Sequence, residues 1–235
     1  MPRATQTVGT VYYAIGDVHG ERGKLERLLS KIDGFHAERF PDATPRHVLL
    51  GDLVDKGPDS AGVVALARRL EAERNAVVIK GNHEALMCDA QAGIGERALR
   101  RWLENGGRDT HDSYDGDRDQ LAEDVAWLDA LPERFASPDG RFVFVHAGID
   151  PERFPDGDTP THLWTRKADF FDSETWTNPA LDNVIVIHGH TPQPDGPDIS
   201  SDGRRINVDT GACDGGPLTA AVLTADLEPE FLSVD

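Results

Sequence analysis

Five short apolar runs, each followed by a glycine and polar residues, constrain the fold of this 235-residue chain more than any other feature of its sequence. The runs cover residues 11–15, 47–50, 76–79, 142–145 and 184–187. Each is nearly continuous and partly β-branched, which is typical of strands that are buried on both faces. The sequence therefore predicts an α/β fold with a partly parallel sheet.

Helical periodicity fills the intervals between the first three runs. Residues 21–33 and 60–74 each place apolar side chains on one face, as amphipathic helices do. We also expect helices over residues 96–104 and 120–130, and strands over residues 205–208, 218–223 and 231–234. These elements predict a single domain over residues 1–235, in which residues 1–9 form a flexible N-terminus.

Side chains that can bind a metal follow each of the five runs. In open α/β sheets, ligands bind beyond the carboxyl ends of the strands, so we expect these side chains to meet. None of them is a thiol, which favours Mn, Fe, Ni or Zn ions over a structural zinc site. The candidate residues are Asp17, His19, Asp52, Asp55, Asn82, His83, His146 and His190.

Composition excludes several classes of partner and location. There are 42 acidic and 24 basic side chains, and the resulting charge of −18 argues against nucleic acid and anionic membranes as partners. No window approaches the roughly 18 apolar residues of a spanning helix, and MPRATQTVGT does not resemble a secretory signal. Two cysteines are too few for a disulfide framework, so we expect a cytoplasmic protein. The sequence does not indicate its oligomeric state.

Five motifs carry a family resemblance: GDVHG at 16–20, GDLVDKG at 51–57, GNHE at 81–84, HAG at 146–148 and GHT at 189–191. Together they resemble the signature series of the calcineurin-like metallophosphoesterases, and more narrowly the phosphoprotein phosphatase family with its bacterial and phage members. The segments NGG at 105–107, LWTR at 163–166 and NVDTGA at 207–212 are similar to further stretches of those bacterial enzymes. The resemblance extends from about residue 11 to residue 223.

The resemblance implies a fold and a reaction. The fold is α/β, with two mixed β-sheets packed as a sandwich and flanked by helices in four layers, αββα. The reaction is hydrolysis of phosphate monoesters by direct attack of a hydroxide that bridges two divalent metal ions, with Mn²⁺ expected ahead of Fe, Zn or Ni. It also implies the metal ligands: Asp17, His19 and Asp52 on one ion, with Asp52 bridging to a second ion held by Asn82, His146 and His190.

Further roles follow from the same resemblance. His83 is the implied general acid, and Asp55 orients its imidazole through a hydrogen bond. Arg166, Asn82 and Lys56 are the implied contacts to the substrate phosphate. These residue types suit the roles, because histidine titrates near neutrality and arginine offers two parallel donors to phosphate oxygens.

The substrate class is the least constrained inference. The Asp55, His83, Glu84 and Arg166 set favours a serine/threonine protein phosphatase acting on phosphorylated proteins, with small phosphoesters as further substrates. Lys56 stands where the protein phosphatases usually carry arginine, and this position resembles the symmetrical dinucleoside tetraphosphatases. Hydrolysis of dinucleoside tetraphosphates or related nucleotides is therefore the alternative. An inactive, metal-poor scaffold is a third reading, although no expected ligand is missing.

Several other polar residues are not predicted to be metal ligands or catalytic residues. We expect His188 to pack or to support the site without binding metal, and the role of Asp209 stays open. We expect His36, His47, His111 and His162 at the surface. The acidic segment 109–124 is interpreted as solvated.

Overall fold

The computed structural model describes residues 9–235, so the expected flexible N-terminus lies almost wholly outside the described residues. The strands are β1 (Thr10–Ile15), β2 (Thr44–Leu49), β3 (Val77–Val78), β4 (Arg134–Ala136), β5 (Phe142–Val145), β6 (Ile185–His188), β7 (Asp198–Ile199), β8 (Arg205–Asn207), β9 (Leu218–Leu223) and β10 (Glu230–Val234). The helices are α1 (Arg22–Arg39), α2 (Ser60–Arg74), α3 (Asn82–Gln91), α4 (Glu96–Trp102), α5 (Arg108–Ser113), α6 (Arg118–Asp129), α7 (Thr159–Trp164) and α8 (Ala168–Phe171).

Two mixed five-stranded sheets form the centre of the fold. The first has the order β10-β9-β1-β2-β3, in which β1, β2 and β3 are parallel, β9 pairs antiparallel with β1, and β10 pairs antiparallel with β9. The second has the order β4-β5-β6-β8-β7, in which β5, β6 and β8 are parallel. The predicted pair of mixed sheets is confirmed, whereas the one partly parallel sheet suggested by the apolar runs alone is divided between the two.

Strand β1 shows why the apolar runs are continuous. Its side chains alternate between two buried layers, because successive residues of a strand point to opposite faces. Tyr13 belongs to the core between the first sheet and helices α1 and α2. Tyr12 points into the core between the sheets, where its ring lies 5.8 Å from that of Phe142 and 5.4 Å from that of Phe144.

The helices cover the outer faces of both sheets. Helix α2 begins after Asp59, whose carboxylate accepts a hydrogen bond from the Gly62 amide at 2.8 Å and so caps the first turn. Helix α1 continues to Arg39, beyond the predicted end at residue 33, and His36 in this extension contacts the Tyr13 hydroxyl at 2.8 Å. Phe170 of α8 packs in a third core against the second sheet. The four-layer prediction is therefore confirmed.

Tertiary packing overturns three surface expectations. His47 and His162 are only 2% and 8% exposed. Asp124, in the segment interpreted as solvated, is 1% exposed and binds Tyr114 and Arg68. Within residues 9–235, no helix has both the length and the apolar character that a membrane crossing requires.

Candidate metal centre and active site

The predicted ligands converge where the carboxyl ends of the parallel strands of both sheets meet. Parallel pairing places the residues after β1, β2 and β3 at one edge of the first sheet. The second sheet supplies His146, whose Nδ1 lies 2.9 Å from the carbonyl oxygen of Leu50 at the end of β2. It also supplies His190, whose backbone amide donates to Asp17 after β1. The residues predicted at the strand ends of both sheets therefore lie around one shared pocket.

Asp52 lies at the centre of the pocket. Its Oδ2 is 3.5 Å from His19 Nε2, and its Oδ1 is 3.4 Å from His146 Nε2. Oδ1 also accepts a hydrogen bond from the His83 backbone amide at 3.0 Å. Nitrogen and oxygen atoms that lie within 4.8 Å of one another form two groups, and Asp52 belongs to both: His19, Asp52 and His83; and Asp52, His146 and His190.

The hydrogen bonds of His19 and His146 show which ring nitrogen faces Asp52 as an acceptor. His19 Nδ1 donates to the carbonyl oxygen of Val54 at 2.8 Å, as His146 Nδ1 does to Leu50. A neutral imidazole has one N–H, so each Nε2 presents a lone pair toward the Asp52 carboxylate. A cation between them would remove this repulsion. A backbone carbonyl is one of the usual partners of the outer nitrogen in metal-ligating histidines.

The protonation states of these histidines also suit a metal. Burial lowers the pKa of His19 and His190 to about 3, and it lowers the pKa of His146 as well. The neutral imidazole is the form that binds metal. Asn82 completes this side, with its Oδ1 at 2.8 Å from both His146 Nε2 and His190 Nδ1. The donor set thus fits a dinuclear site for divalent ions.

Asp17 lies in the pocket but outside both close groups. Its carboxylate accepts the His190 backbone N–H at 3.0 and 3.2 Å. Burial, followed by the charges of Asp209 and Asp52, raises the pKa of Asp17 well above its ordinary value. Asp209 is itself buried, and burial raises its pKa to about 6. The carboxylates of Asp17, Asp52 and Asp209 thus lie close together, and bound cations would neutralise their negative charge.

His83 and Asp55 form a buried pair beside Asp52. His83 Nδ1 is 2.8 Å from Asp55 Oδ2, and His83 Nε2 lies 3.9 Å from Asp52 Oδ2. Burial opposes the charge of His83, but the Asp52 carboxylate and the hydrogen bond to Asp55 together raise its pKa. The geometry therefore allows His83 to hold a proton at Nε2, toward the pocket.

Two basic residues lie at the rim of this pocket. Lys56 Nζ is 3.0 Å from His19 Nε2, so its ammonium group contacts one of the ligand nitrogens directly. Arg166 Nε donates to His190 Nε2 at 3.3 Å, and its Nη2 donates to the His190 carbonyl at 3.4 Å. The cavity between them, about 430 Å³, also contacts Trp164 and Asn105.

Backbone strain is concentrated in this site. Eight non-glycine residues among residues 9–235 have positive φ, and five of them are predicted site residues. Positive φ is unfavourable for side chains with a Cβ, and such strain is typical of functional sites. The five are His19, Asp52, Asp55, Lys56 and His190, with φ of 45°, 50°, 73°, 69° and 69°.

Trp102, Thr110 and the supporting contacts of Glu84 were not predicted from the sequence. Trp102 and Thr110 donate hydrogen bonds to Asp55, and Glu84 accepts hydrogen bonds from the backbone around Asp52. The segment NGG at 105–107 lies between Trp102 and Thr110 and was the available signal. His188 belongs to neither ligand group; its Nε2 is 3.1 Å from Arg205, as a supporting role predicts.

Comparison with known proteins places this site in a family. The model of the calcineurin-like phosphoesterase family matches residues 11–216. Serine/threonine-protein phosphatase 1 of Salmonella typhimurium is 29% identical over 89% of this chain and 90% of its own. An asymmetrical bis(5'-nucleosyl)-tetraphosphatase, PrpE of Halalkalibacterium halodurans, is 27% identical over 94% of this chain and 92% of its own.

Two further comparisons add to these. The symmetrical bis(5'-nucleosyl)-tetraphosphatase of Nitrosospira multiformis is 31% identical over 59% of this chain but 44% of its own, so the match spans less than half of that relative. A crystal structure described as a putative diadenosine tetraphosphatase shares the fold, with a TM-score of 0.65, 24% identity, and coverage of 98% of this chain and 96% of its own. The resemblance seen in the motifs is confirmed: the chain belongs to the calcineurin-like phosphoesterase family of metal-dependent phosphoesterases.

Proposed function

We propose that this chain is a serine/threonine protein phosphatase that cleaves phosphate monoesters in one step, without a phosphoenzyme. The catalytic unit is a single domain over residues 1–235, and its place is the cytoplasm, which the charge of −18 and the two cysteines support. The observation that carries the proposal is the buried His83–Asp55 pair, 2.8 Å apart, next to the ligand cluster around Asp52.

The proposed ligands divide as the family resemblance implies. Asp17, His19 and Asp52 would hold one ion, and Asp52 with Asn82, His146 and His190 would hold the other. When bound, two divalent ions supply a hydroxide at neutral pH and stabilise charge on the phosphate; we propose Mn²⁺ as the preferred metal. The neutral histidines and the absence of thiols from the cluster support a hard or borderline ion.

His83 would protonate the departing alkoxide. Its Nδ1–H is directed to Asp55 Oδ2, which leaves Nε2 as the nitrogen that faces the pocket. The raised pKa of His83, which the charge of Asp52 and the hydrogen bond to Asp55 maintain against burial, keeps this proton available near neutral pH. A positioned acid of this kind contributes about 10²–10⁴-fold to a rate.

Arg166 and Lys56 would bind the phosphate. Both line the cavity and both bring a positive charge to a chain whose net charge is −18. Arg166 has its guanidinium at the rim and offers two parallel donors, whereas Lys56 offers a point charge. Asn82 lines the same cavity and is the third proposed phosphate contact.

A phosphopeptide assay tests the substrate class. With Mn²⁺ present, phosphoserine and phosphothreonine peptides should release phosphate, and a chelator should stop the reaction. Asp52→Asn should lose most metal and slow turnover by about 10³-fold, since it removes the ligand common to both groups. Asp89→Asn, an exposed carboxylate on α3, is the matched control. No turnover of any phosphopeptide, with small phosphate esters still cleaved, would rule out the protein phosphatase assignment.

A dinucleoside tetraphosphatase is the second candidate. The full-length match to PrpE and the lysine at position 56 favour it. Product analysis with diadenosine tetraphosphate separates the cases: symmetrical cleavage yields only the diphosphate, and asymmetrical cleavage yields the monophosphate and the triphosphate. Rapid turnover of this nucleotide, together with slow turnover of every phosphopeptide, would favour the second candidate over the first.

A further inference from the structure

The carboxylate of Asp55 is fixed by hydrogen bonds to the oxygen that does not contact His83. Its Oδ2 contacts His83, while its Oδ1 accepts two other hydrogen bonds, from Trp102 Nε1 at 2.9 Å and from Thr110 Oγ1 at 2.7 Å. Asp55 and Thr110 are fully buried, and Trp102 is 1% exposed. The two oxygens of one carboxylate therefore have separate partners, and water has no access to exchange with them.

Thr110 also fixes the backbone of Asp55. Its Oγ1 accepts the Asp55 backbone N–H at 2.8 Å while its own hydroxyl donates to Oδ1. Asp55 has a positive φ of 73°, an unfavourable conformation that needs such support. Ser60 Oγ lies 3.0 Å from Thr110 Oγ1 and helps to orient that hydroxyl.

The chain between Trp102 and Thr110 is shaped to bring both donors to Asp55. Leu103–Gly107 departs from helical geometry, with φ of −102° at Asn105 and 97° at Gly106. A Cβ on Gly107 would lie 2.5 Å from the Trp102 indole, so glycine is required there for this packing. Gly106 O in turn accepts the Lys56 backbone N–H at 3.3 Å, which ties the segment to the loop that carries Asp55.

We propose that Trp102 and Thr110 are positioning residues for the acid step: they hold the Asp55 carboxylate in one rotamer so that its Oδ2 keeps His83 Nε2 directed at the leaving group. This inference rests on the proposed function, in which His83 is the general acid. The two donors occupy Oδ1, so Oδ2 is the oxygen left to accept the His83 Nδ1–H. Neither residue lines the cavity.

Trp102→Phe and Thr110→Val test this role. Thr110→Val nearly keeps the shape of the side chain, whereas Trp102→Phe also places a smaller ring in a buried position. Each removes one donor to the Asp55 carboxylate, and Thr110→Val also removes an acceptor of the Asp55 backbone N–H. We expect kcat for phenyl phosphate, which has a poor leaving group, to fall about tenfold. For 4-nitrophenyl phosphate, whose leaving group needs little protonation, we expect less than about a twofold change. The KM values and the Mn²⁺ content should stay as in the unmodified protein.

Two variants serve as controls. Trp127→Phe removes another indole N–H from a carboxylate, since Trp127 Nε1 donates to Glu71 at 3.0 Å and neither residue lines the pocket, and it should leave both rates unchanged. Thr110→Ser keeps the hydroxyl and should restore the phenyl phosphate rate. If Trp102→Phe does not fold, the Thr110 pair alone decides the question.

His83→Ala separates failure of this inference from failure of the proposed function. If His83→Ala slows both esters equally, the acid role itself is wrong. If His83→Ala slows phenyl phosphate selectively but Trp102→Phe and Thr110→Val slow both esters equally, or neither, the acid role stands and the positioning role is overturned. Selective slowing in all three variants supports it.

Discussion

The carboxylate of Glu84 holds the backbone of Asp52: Glu84 Oε2 accepts the Asp52 amide N–H at 2.8 Å. The same carboxylate accepts the amides of Leu53 at 2.8 Å and Gly81 at 2.7 Å. Glu84 is fully buried on the first turn of α3, so it joins the loop after β2 to the loop after β3. Asp52, which has a positive φ, thereby keeps its side chain directed at the histidines.

Glu84→Gln should weaken metal binding without removing any ligand. The amide replaces one acceptor oxygen with an NH₂ group that faces backbone N–H donors, so the Asp52 loop loses support. Loss of such a supporting contact typically lowers metal affinity about 10–100-fold. Titration calorimetry with Mn²⁺ measures the change, and Glu73→Gln at an exposed position of α2 is the control. An unchanged affinity would show that the loop holds its shape without Glu84.

The convergence of the predicted ligands was predictable because its signals are local. Each predicted ligand follows a buried strand, and parallel strands bring their carboxyl ends together regardless of how far apart they are in sequence. Asp17 and His190 are 173 residues apart, yet the backbone amide of His190 binds the Asp17 carboxylate. The strand pattern predicted that they would meet, but at the edge of one sheet. Asp17 follows β1 of the first sheet and His190 follows β6 of the second, so the packing of the two sheets brings them together.

Burial of polar residues was not predictable in the same way. Nothing near Asp55 in the sequence points to Trp102 and Thr110, which lie 47 and 55 positions away and reach it only through tertiary packing. His47 follows Arg46 in β2 and Asp124 follows Glu123 on α6, yet both are buried in the folded chain. A local sequence pattern predicts which face of a helix or strand is apolar. It does not predict which polar side chains become buried against other elements of the fold.

Lys56 should oppose metal binding while it supports phosphate binding. Its ammonium donates to His19 Nε2 at 3.0 Å, so an ion at His19 competes for the same lone pair and meets a like charge. Lys56→Met should raise Mn²⁺ affinity about three- to tenfold and also raise the KM for phosphate esters. Lys167→Met, an exposed position with the same charge change, is the control. A fall in metal affinity would contradict this competition.

Asp124 should be a stability determinant on α6. It accepts hydrogen bonds from Tyr114 at 3.1 Å and Gln120 at 3.0 Å, and it pairs with Arg68 on α2. Asp124→Asn removes the charge from a buried network and leaves Arg68 without its partner, which should cost about 2–3 kcal/mol of unfolding free energy. Urea denaturation measures the loss, and Glu123→Gln, exposed on the same helix, should stay within about 0.5 kcal/mol of the unmodified protein.

His47 should make stability depend on pH. Neither ring nitrogen has a hydrogen-bond partner, and burial, followed by the charge of Arg74, lowers the pKa of His47 to about 4 from 6.5. The unfolded chain therefore binds more protons than the folded chain between these values, so stability is lost as pH falls from 6.5 toward 4. Between pH 7.5 and 5 this contribution amounts to about 2 kcal/mol.

His47→Leu should remove that contribution while filling nearly the same space. Unfolding free energies from urea titrations at pH 7.5 and 5 should differ by about 2 kcal/mol less in this variant than in the unmodified protein, because the other buried histidines are common to both. His111→Leu makes the same substitution at an exposed histidine and is the control. Equal pH dependence in all three proteins would mean that His47 accepts a proton as readily in the folded chain as in the unfolded chain. That result would contradict the prediction, which follows from the burial of His47 and from the lack of a partner for its ring nitrogens.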